Sequence, residues 1–270
     1  MSTLSHSQTR WRRYSQQESL QHFTLWLLFV ALTVYCWQIM NEETLWFFVV
    51  DAPNQVADIS SRMWPPRWSY LDQLWGPLWD TINIATLGTA LGVAIAFPIA
   101  FLAARNTTPS AAFARPIALL IIASSRSINS LIWALLLVTI MGPGLLAGII
   151  AIALRSIGFV SKLVYESIEE VNETQVAAIR ATGASELQVL SYGVLPQILP
   201  NFIGTSLFRW DINIRESTVL GLVGAGGIGL KLQESMSILA WPQVTVIFCS
   251  ILATVVISEW ISARARHALI

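Results

Sequence analysis

Apolar residues gather along this chain in runs long enough to cross a bilayer, and polar residues mark the intervals between them. Five runs are clear: Phe23 to Met40, about Gly76 to Ala104, about Pro116 to Met141, about Gly144 to Val164, and Leu239 to Trp260. About 20 predominantly apolar residues span the hydrocarbon layer, so each run predicts a transmembrane helix. A sixth, Asn201 to Val223, is interrupted by Arg209, Asp211, Asn213, Arg215 and Glu216, and hydropathy alone supports five spans. Within it, Ile203, Leu207, Trp210 and Ile214 recur at helical spacing as one apolar stripe, while Asp211 and Arg215 stand four apart and pair on another face. Such a helix faces protein or water rather than lipid.

The intervals give the topology. Gly142-Pro143-Gly144 stops one helix and permits a tight reversal. Arg105 and Arg115 flank the 105–115 loop, Arg180 lies in the 166–197 stretch, Arg264 and Arg266 follow the last run, and Arg10, Arg12 and Arg13 precede the first. Six crossings put all of these on the cytoplasmic side, as the positive-inside rule requires. The stretch from Asn41 to Leu74 carries more acidic than basic residues, and Trp46, Trp64, Trp68 and Trp75 in and beside it suit a headgroup belt. This reading divides the chain into a cytoplasmic segment (1–22), a first transmembrane helix (23–40), a periplasmic interfacial loop (41–75) and a core (76–265) with an internal loop at 166–197. The fold class expected is an all-α, polytopic helical bundle of about six transmembrane helices.

Composition sharpens this picture. The chain is 54% hydrophobic and 12% charged, against roughly 25% charged in soluble domains, so part of its solvent is lipid. Net charge is zero, which points to no nucleic-acid partner. Cys36 and Cys249 lie in separate apolar runs and read as buried small hydrophobes. The first run lacks a small-x-small cleavage site and is expected to be a retained helix.

Between Asn172 and Pro200 the sequence NETQVAAIRATGASELQVLSYGVLPQILP describes two short helices broken by a glycine. Asn172 with Gln175 gives an N-cap pattern, Ser185 with Gln188 a capping box, and Gly183 stands where a left-handed residue closes the first helix. Small side chains at Ala177, Ala178 and Ala181 allow another protein to approach.

The segment resembles the EAA loop of ABC importer permeases: Glu-Ala-Ala, three residues, Gly, nine residues, then Ile-x-Leu-Pro. Aligned on Gly183, Leu195-Pro196 falls in register, the first three positions become Ala177, Ala178 and Ile179, and the Ile position becomes Gly193. The loop's glutamate has no counterpart, and Glu173 lies too early to replace it directly. ATGASELQVLSYGVLPQILP and LFRWDINIRESTVLGLVGAGGIG, with SRSIN at 125–129, are similar to the phosphonate and phosphite branch of that family over roughly residues 75 to 265.

The resemblance implies a type I ABC importer permease (MetI-like) fold and contacts to a cytoplasmic ATPase at Glu173, Ala177, Ala178, Arg180, Gly183, Leu195 and Pro196. It implies a second copy of this chain, two ATP-binding subunits that hold ATP and Mg, and a periplasmic phosphonate- or phosphite-binding protein. No cofactor is expected in this chain. Methionine or quaternary-amine importers are the nearest alternatives, and a stand-alone secondary transporter is a rival of another class.

Two motifs test these expectations. Gly224-Ala-Gly-Gly-Ile-Gly229 satisfies the dinucleotide fingerprint, yet no acidic residue follows about 20 positions on in a βαβ unit. A flexible or closely packed external loop fits it better. No G-x-x-x-x-G-K-[ST] occurs, so ATP must be bound elsewhere. His6, His22 and His267 form no metal or catalytic cluster, and no enzyme constellation is present.

Charged groups in apolar runs are tolerated where they pair or line a water-filled path. Arg126, Arg209, Asp211, Arg215 and Glu216, with Asn129 of the SRSIN segment, are the pathway candidates, and their arginines suit an oxyanion. The alternative is that Asp211 pairs with Arg215, and Arg209 with Glu216, only to hold helices together.

Overall fold

The computed structural model describes residues 16–269. His6, Arg10, Arg12, Arg13 and most of the expected 1–22 segment lie outside the described residues. Every regular element among the described residues is helical, and the chain divides into two units, residues 1–59 and 60–270.

In the first unit, α1 (Gln16–Glu43) is exposed over residues 17–43. Next comes α2 (Trp46–Met63), which has no buried residue. The interval read as a loop is thus mostly helical. Trp46, Val49, Val50, Pro53, Val56, Ala57 and Met63 repeat with helical spacing on it, a signal that Pro53 and the neighbouring tryptophans obscured. Cys36 is exposed on α1, and Cys249 is exposed in the second unit. This corrects their reading as buried hydrophobes, because an apolar thiol in a span is equally at home against lipid.

The second unit is the helical bundle. A 3₁₀ turn (Trp68–Gln73) leads into α3 (Trp75–Ala103), followed by α4 (Ala114–Ser127), α5 (Ser130–Met141), α6 (Leu145–Glu169), α7 (Glu173–Ala181), α8 (Glu186–Val189), a π turn (Leu190–Val194), α9 (Leu195–Gly221), α10 (Ile228–Ser237) and α11 (Trp241–Leu269). Among the described residues, α1, α3, α6 and α11 are long and apolar enough to span a membrane, and α4 with α5 makes a fifth if the two count together. The third run is therefore no straight span: α4 and α5 meet at 88°. Asn129 sits at the corner and accepts the Leu131 N–H at 3.2 Å, capping α5.

Small residues bring the central helices together. Gly88, Gly92, Ala96 and Ala100 repeat every fourth position on α3. A Cβ on Gly88 would lie 2.7 Å from Ile152 Cγ2, and one on Gly92 2.7 Å from Ser156 Cβ, so α3 and α6 touch backbone to backbone. Gly158 of α6 plays the same part against Ser125 of α4, whose Oγ accepts the Gly158 N–H at 2.8 Å.

The helix ends sort into two layers. At one, Val160, Val164, Ile168, Val194 and Ile198 close over Ala96, Ala100 and Ala104. At the other, Gly144 N–H donates to Gly224 O at 3.0 Å and Ile228 N–H to Thr81 Oγ1 at 2.8 Å. The glycine-rich stretch is the close-packed option of the two that the sequence left open. A Cβ on Gly227 would stand 2.5 Å from Thr81 Oγ1, and one on Gly229 1.9 Å from Thr218 O. It ends by starting α10, a short helix in the stretch read as a loop, which buries Ile228, Leu232 and Ser235 on one face.

Candidate coupling loop and intramembrane charge network

The loop after α6 is held as a closed unit. Asn172 accepts the Thr174 N–H at 3.0 Å and caps α7. Gly183 takes φ +82 with open space around a would-be Cβ, so its requirement is conformational rather than steric. Ser185 and Gln188 complete the capping box of α8. The exposed pair Arg180–Glu186, 3.1 Å, bridges the glycine turn and contributes at most about 1 kcal/mol. At the base, Gln197 Oε1 accepts the Asn172 N–H at 2.9 Å while its Nε2 donates to Gly193 O at 2.7 Å.

The outer surface of α7 carries Glu173, Ala177, Ala178 and Arg180, all exposed, while Val176 and Ile179 turn inward. A Cβ on Gly193 would meet Ile179 Cδ1 at 3.4 Å and Val176 Cα at 3.5 Å. Two of the three departures from the loop pattern are thus one exchange: bulk appears at Ile179 where the pattern has alanine, and disappears at Gly193 where it has isoleucine. Beside α7 lies an open cavity of about 990 Å³, lined by Asn106, Thr107, Glu173, Ala177, Arg180 and Leu187 among others. Its far wall is fixed to α6, because Asn106 donates to Ile168 O at 2.6 Å and Arg105 N–H to Glu169 at 2.9 Å. Leu195 and Pro196 open α9 beneath the loop, Leu195 half-buried and Pro196 exposed.

Among the pathway candidates, α9 turns a polar row inward. Thr205, Arg209, Asn213 and Ser217 are buried, four residues apart each time, whereas only Ile214 of the expected apolar stripe is fully buried. The stripe marks a helix, as expected, but α9 packs largely through its polar row because its neighbours supply partners. Arg209 donates to Ser156 Oγ at 3.0 Å and to Glu216 Oε2 at 3.2 Å, with its guanidinium 5.2 Å from the Phe159 ring centre. Asn213 donates to Thr89 Oγ1 at 2.7 Å and to Ser156 Oγ at 3.0 Å. On the other flank Asp211 pairs with Arg215 at 2.6 Å and accepts from Ser258 of α11 at 3.0 Å.

Both pairs named from the sequence therefore form, and both serve helix packing. Arg126 and Asn129 are not part of either; they lie exposed at the α4–α5 corner. The residue that sequence reasoning passed over is Arg155 of α6. It stands 3.3 Å from Glu216 Oε1 and donates to Ile128 O at 3.5 Å, joining the corner to α9. The available signal was a cation inside an apolar run, the criterion applied to the others. No group of three or more His, Cys, Asp or Glu side chains among the described residues could hold a metal.

Residues 96–264 match the family described as the binding-protein-dependent transport system inner membrane component. The chain belongs to that family. It is a permease subunit of the ABC importers, a multi-pass inner-membrane protein that works with ATP-binding subunits and a substrate-binding protein, and it is not itself an enzyme. The phosphite transport system permease protein PtxC of Stutzerimonas stutzeri is 36% identical to this permease over 242 residues, 89% of this chain and 86% of that protein. The phosphate-import permease protein PhnE of Mycolicibacterium smegmatis is 36% identical over 240 residues, 89% of this chain and 44% of that protein. A chain of the inward-facing MetNI methionine ABC transporter superposes with TM-score 0.63 at 22% identity, covering 73% of this permease and 96% of that chain; this likeness concerns the fold.

Proposed function

We propose that this permease carries phosphonate or phosphite oxyanions across the inner membrane. One observation carries the reading: Arg155 of α6 and Arg209 of α9 share a single carboxylate, Glu216, while Arg215 is matched by Asp211. Lys162, farther along α6, is neutralised by Glu166. Unbalanced guanidinium charge in a low-dielectric site favours an anion, and the relatives named for phosphite and phosphate import agree in kind. A zwitterion such as methionine would leave that excess uncompensated.

In this reading the chain works as a homodimer with two ATPase subunits, which bind ATP and Mg; it has no phosphate-binding loop of its own and needs no cofactor. Glu173, Ala177, Ala178, Arg180, Gly183, Leu195 and Pro196 form or support the ATPase contact, and the 173–196 loop acts as a lever on α6 and α9. Arg126, Asn129, Arg209, Asp211, Arg215 and Glu216 border the path. Both termini are cytoplasmic and α2 lies at the periplasmic interface. The layer holding Arg105, Arg115 and the coupling loop supports this orientation, since Arg115 reaches Glu169 at 3.7 Å from the other side of the 104–113 loop.

Calorimetric titration of the cognate binding protein tests the substrate. Phosphite or a phosphonate should saturate it stoichiometrically and methionine should give no heat of binding. Tight methionine binding would replace this reading with its nearest rival.

A further inference from the structure

Glu216 is one carboxylate shared by two arginines that differ in their surroundings. Arg209 is fixed: its side chain is 2% exposed, its Nε is bonded to Ser156 and its NH2 to Glu216 Oε2. Arg155 is not. Its side chain is 30% exposed, it meets Glu216 Oε1 at 3.3 Å, and its other contact is the long one to Ile128 O. The site carries two positive charges and one negative. The accessible arginine therefore has donors to spare, and the buried one has none that a solute could reach.

A guanidinium offers a planar fork that matches two oxygens of a tetrahedral oxyanion, and it holds its charge at any physiological pH. We propose that Arg155 is the oxyanion contact of the transport path and that Glu216 occupies its place in the anion-free state. An arriving anion takes over the Arg155 fork, and Glu216 stays on Arg209, which Ser156 keeps in position. Arg209 and Ser156 are positioning residues. Exchanging one oxyanion for another on the same arginine avoids leaving a bare cation in the membrane, and Glu216 is on hand to displace the solute again. Binding that is balanced by a built-in competitor is weak enough to release.

This inference rests on the substrate reading above, so its test carries an arm for each. The permease, its ATPase and its binding protein are reconstituted in proteoliposomes, and uptake of radiolabelled phosphite, methylphosphonate and inorganic phosphate is measured for wild type, Arg155→Met and Arg155→Lys. Arg155→Met is expected to assemble within twofold of wild type, to lose at least tenfold in maximal rate, and to keep the KM that the binding protein sets. Arg155→Lys should recover part of the rate, as a point charge replaces the fork. A wild-type rate per assembled complex in Arg155→Met overturns the proposal. Where Arg155→Met does not assemble, Arg155→Lys decides: a reduced rate supports the proposal and an unchanged one overturns it. Failure of both variants to assemble makes Arg155 a structural pair only and overturns it equally. A wild-type complex that imports none of the three anions overturns the substrate reading, and the proposal with it.

Discussion

The side chain of Gln197 joins the two ends of the coupling loop, accepting from Asn172 N–H at 2.9 Å while donating to Gly193 O at 2.7 Å. The loop leaves α6 at Asn172 and enters α9 through Gly193, so force on α7 reaches both helices through one amide. Gln197→Leu removes both bonds, each worth roughly 0.5–1.5 kcal/mol. Hydrogen exchange at residues 172–176 should quicken about tenfold, and less substrate should move per ATP hydrolysed. Unchanged exchange would show that the amide does not close the loop.

Ile179 and Gly193 form a second link between α7 and the start of α9. Gly193→Ile should crowd Val176 and Ile179 and destabilise the loop by about 1–3 kcal/mol. Ile179→Ala should cost less than the 2–5 kcal/mol of a fully buried site, because Ile179 is only half-buried. If the two positions exchange bulk, the double variant is more stable than the sum of the single effects predicts. Thermal unfolding of the four proteins in detergent measures this coupling, and strict additivity would remove it.

Ser156 Oγ accepts from both Arg209 and Asn213. Ser156→Ala leaves two buried donors short of an acceptor, one of them charged, a loss of about 1–3 kcal/mol. The thermal midpoint in detergent should fall, and Ser217→Ala, a change to a hydroxyl that bonds only its own helix at Ile214 O, should lower it less.

Gly229 and Gly76 should respond oppositely to alanine. A Cβ at Gly229 would lie 1.9 Å from a backbone oxygen of α9, whereas one at Gly76 meets nothing within 4 Å. Gly229→Ala should abolish assembly, and Gly76→Ala should be neutral or stabilise by about 0.5–1 kcal/mol. Expression and size-exclusion profiles separate the two outcomes.

The spans and the loop were legible because each rests on local signals: apolar length for α1, α3, α6 and α11, and cap chemistry with a left-handed glycine for 172–189. What escaped depends on partners distant in sequence. The buried face of α9 is polar because Thr89 and Ser156 stand opposite Arg209 and Asn213, and no periodicity on α9 alone reveals them. Arg155 was visible as a charge but gained meaning only through Glu216, 61 positions away. The bend after Ser127 left a mark in the polar interruption Ser124-Ser125-Arg126-Ser127, but polar residues between two apolar stretches do not by themselves say that the chain turns there. The stretch at 224–237 shows the same limit, since its glycines could signal flexibility or contact until Thr81 and Thr218 were in place.

The account turns on ATP-driven movement of a phosphorus oxyanion through this chain. Uptake of radiolabelled phosphite into proteoliposomes holding the permease, its ATPase and its binding protein, with excess methionine as competitor, tests that most directly. The account predicts uptake that requires ATP and the binding protein, is blocked by unlabelled phosphite or a phosphonate, and is indifferent to methionine. Uptake that persists without the ATPase, or that methionine displaces, would contradict it.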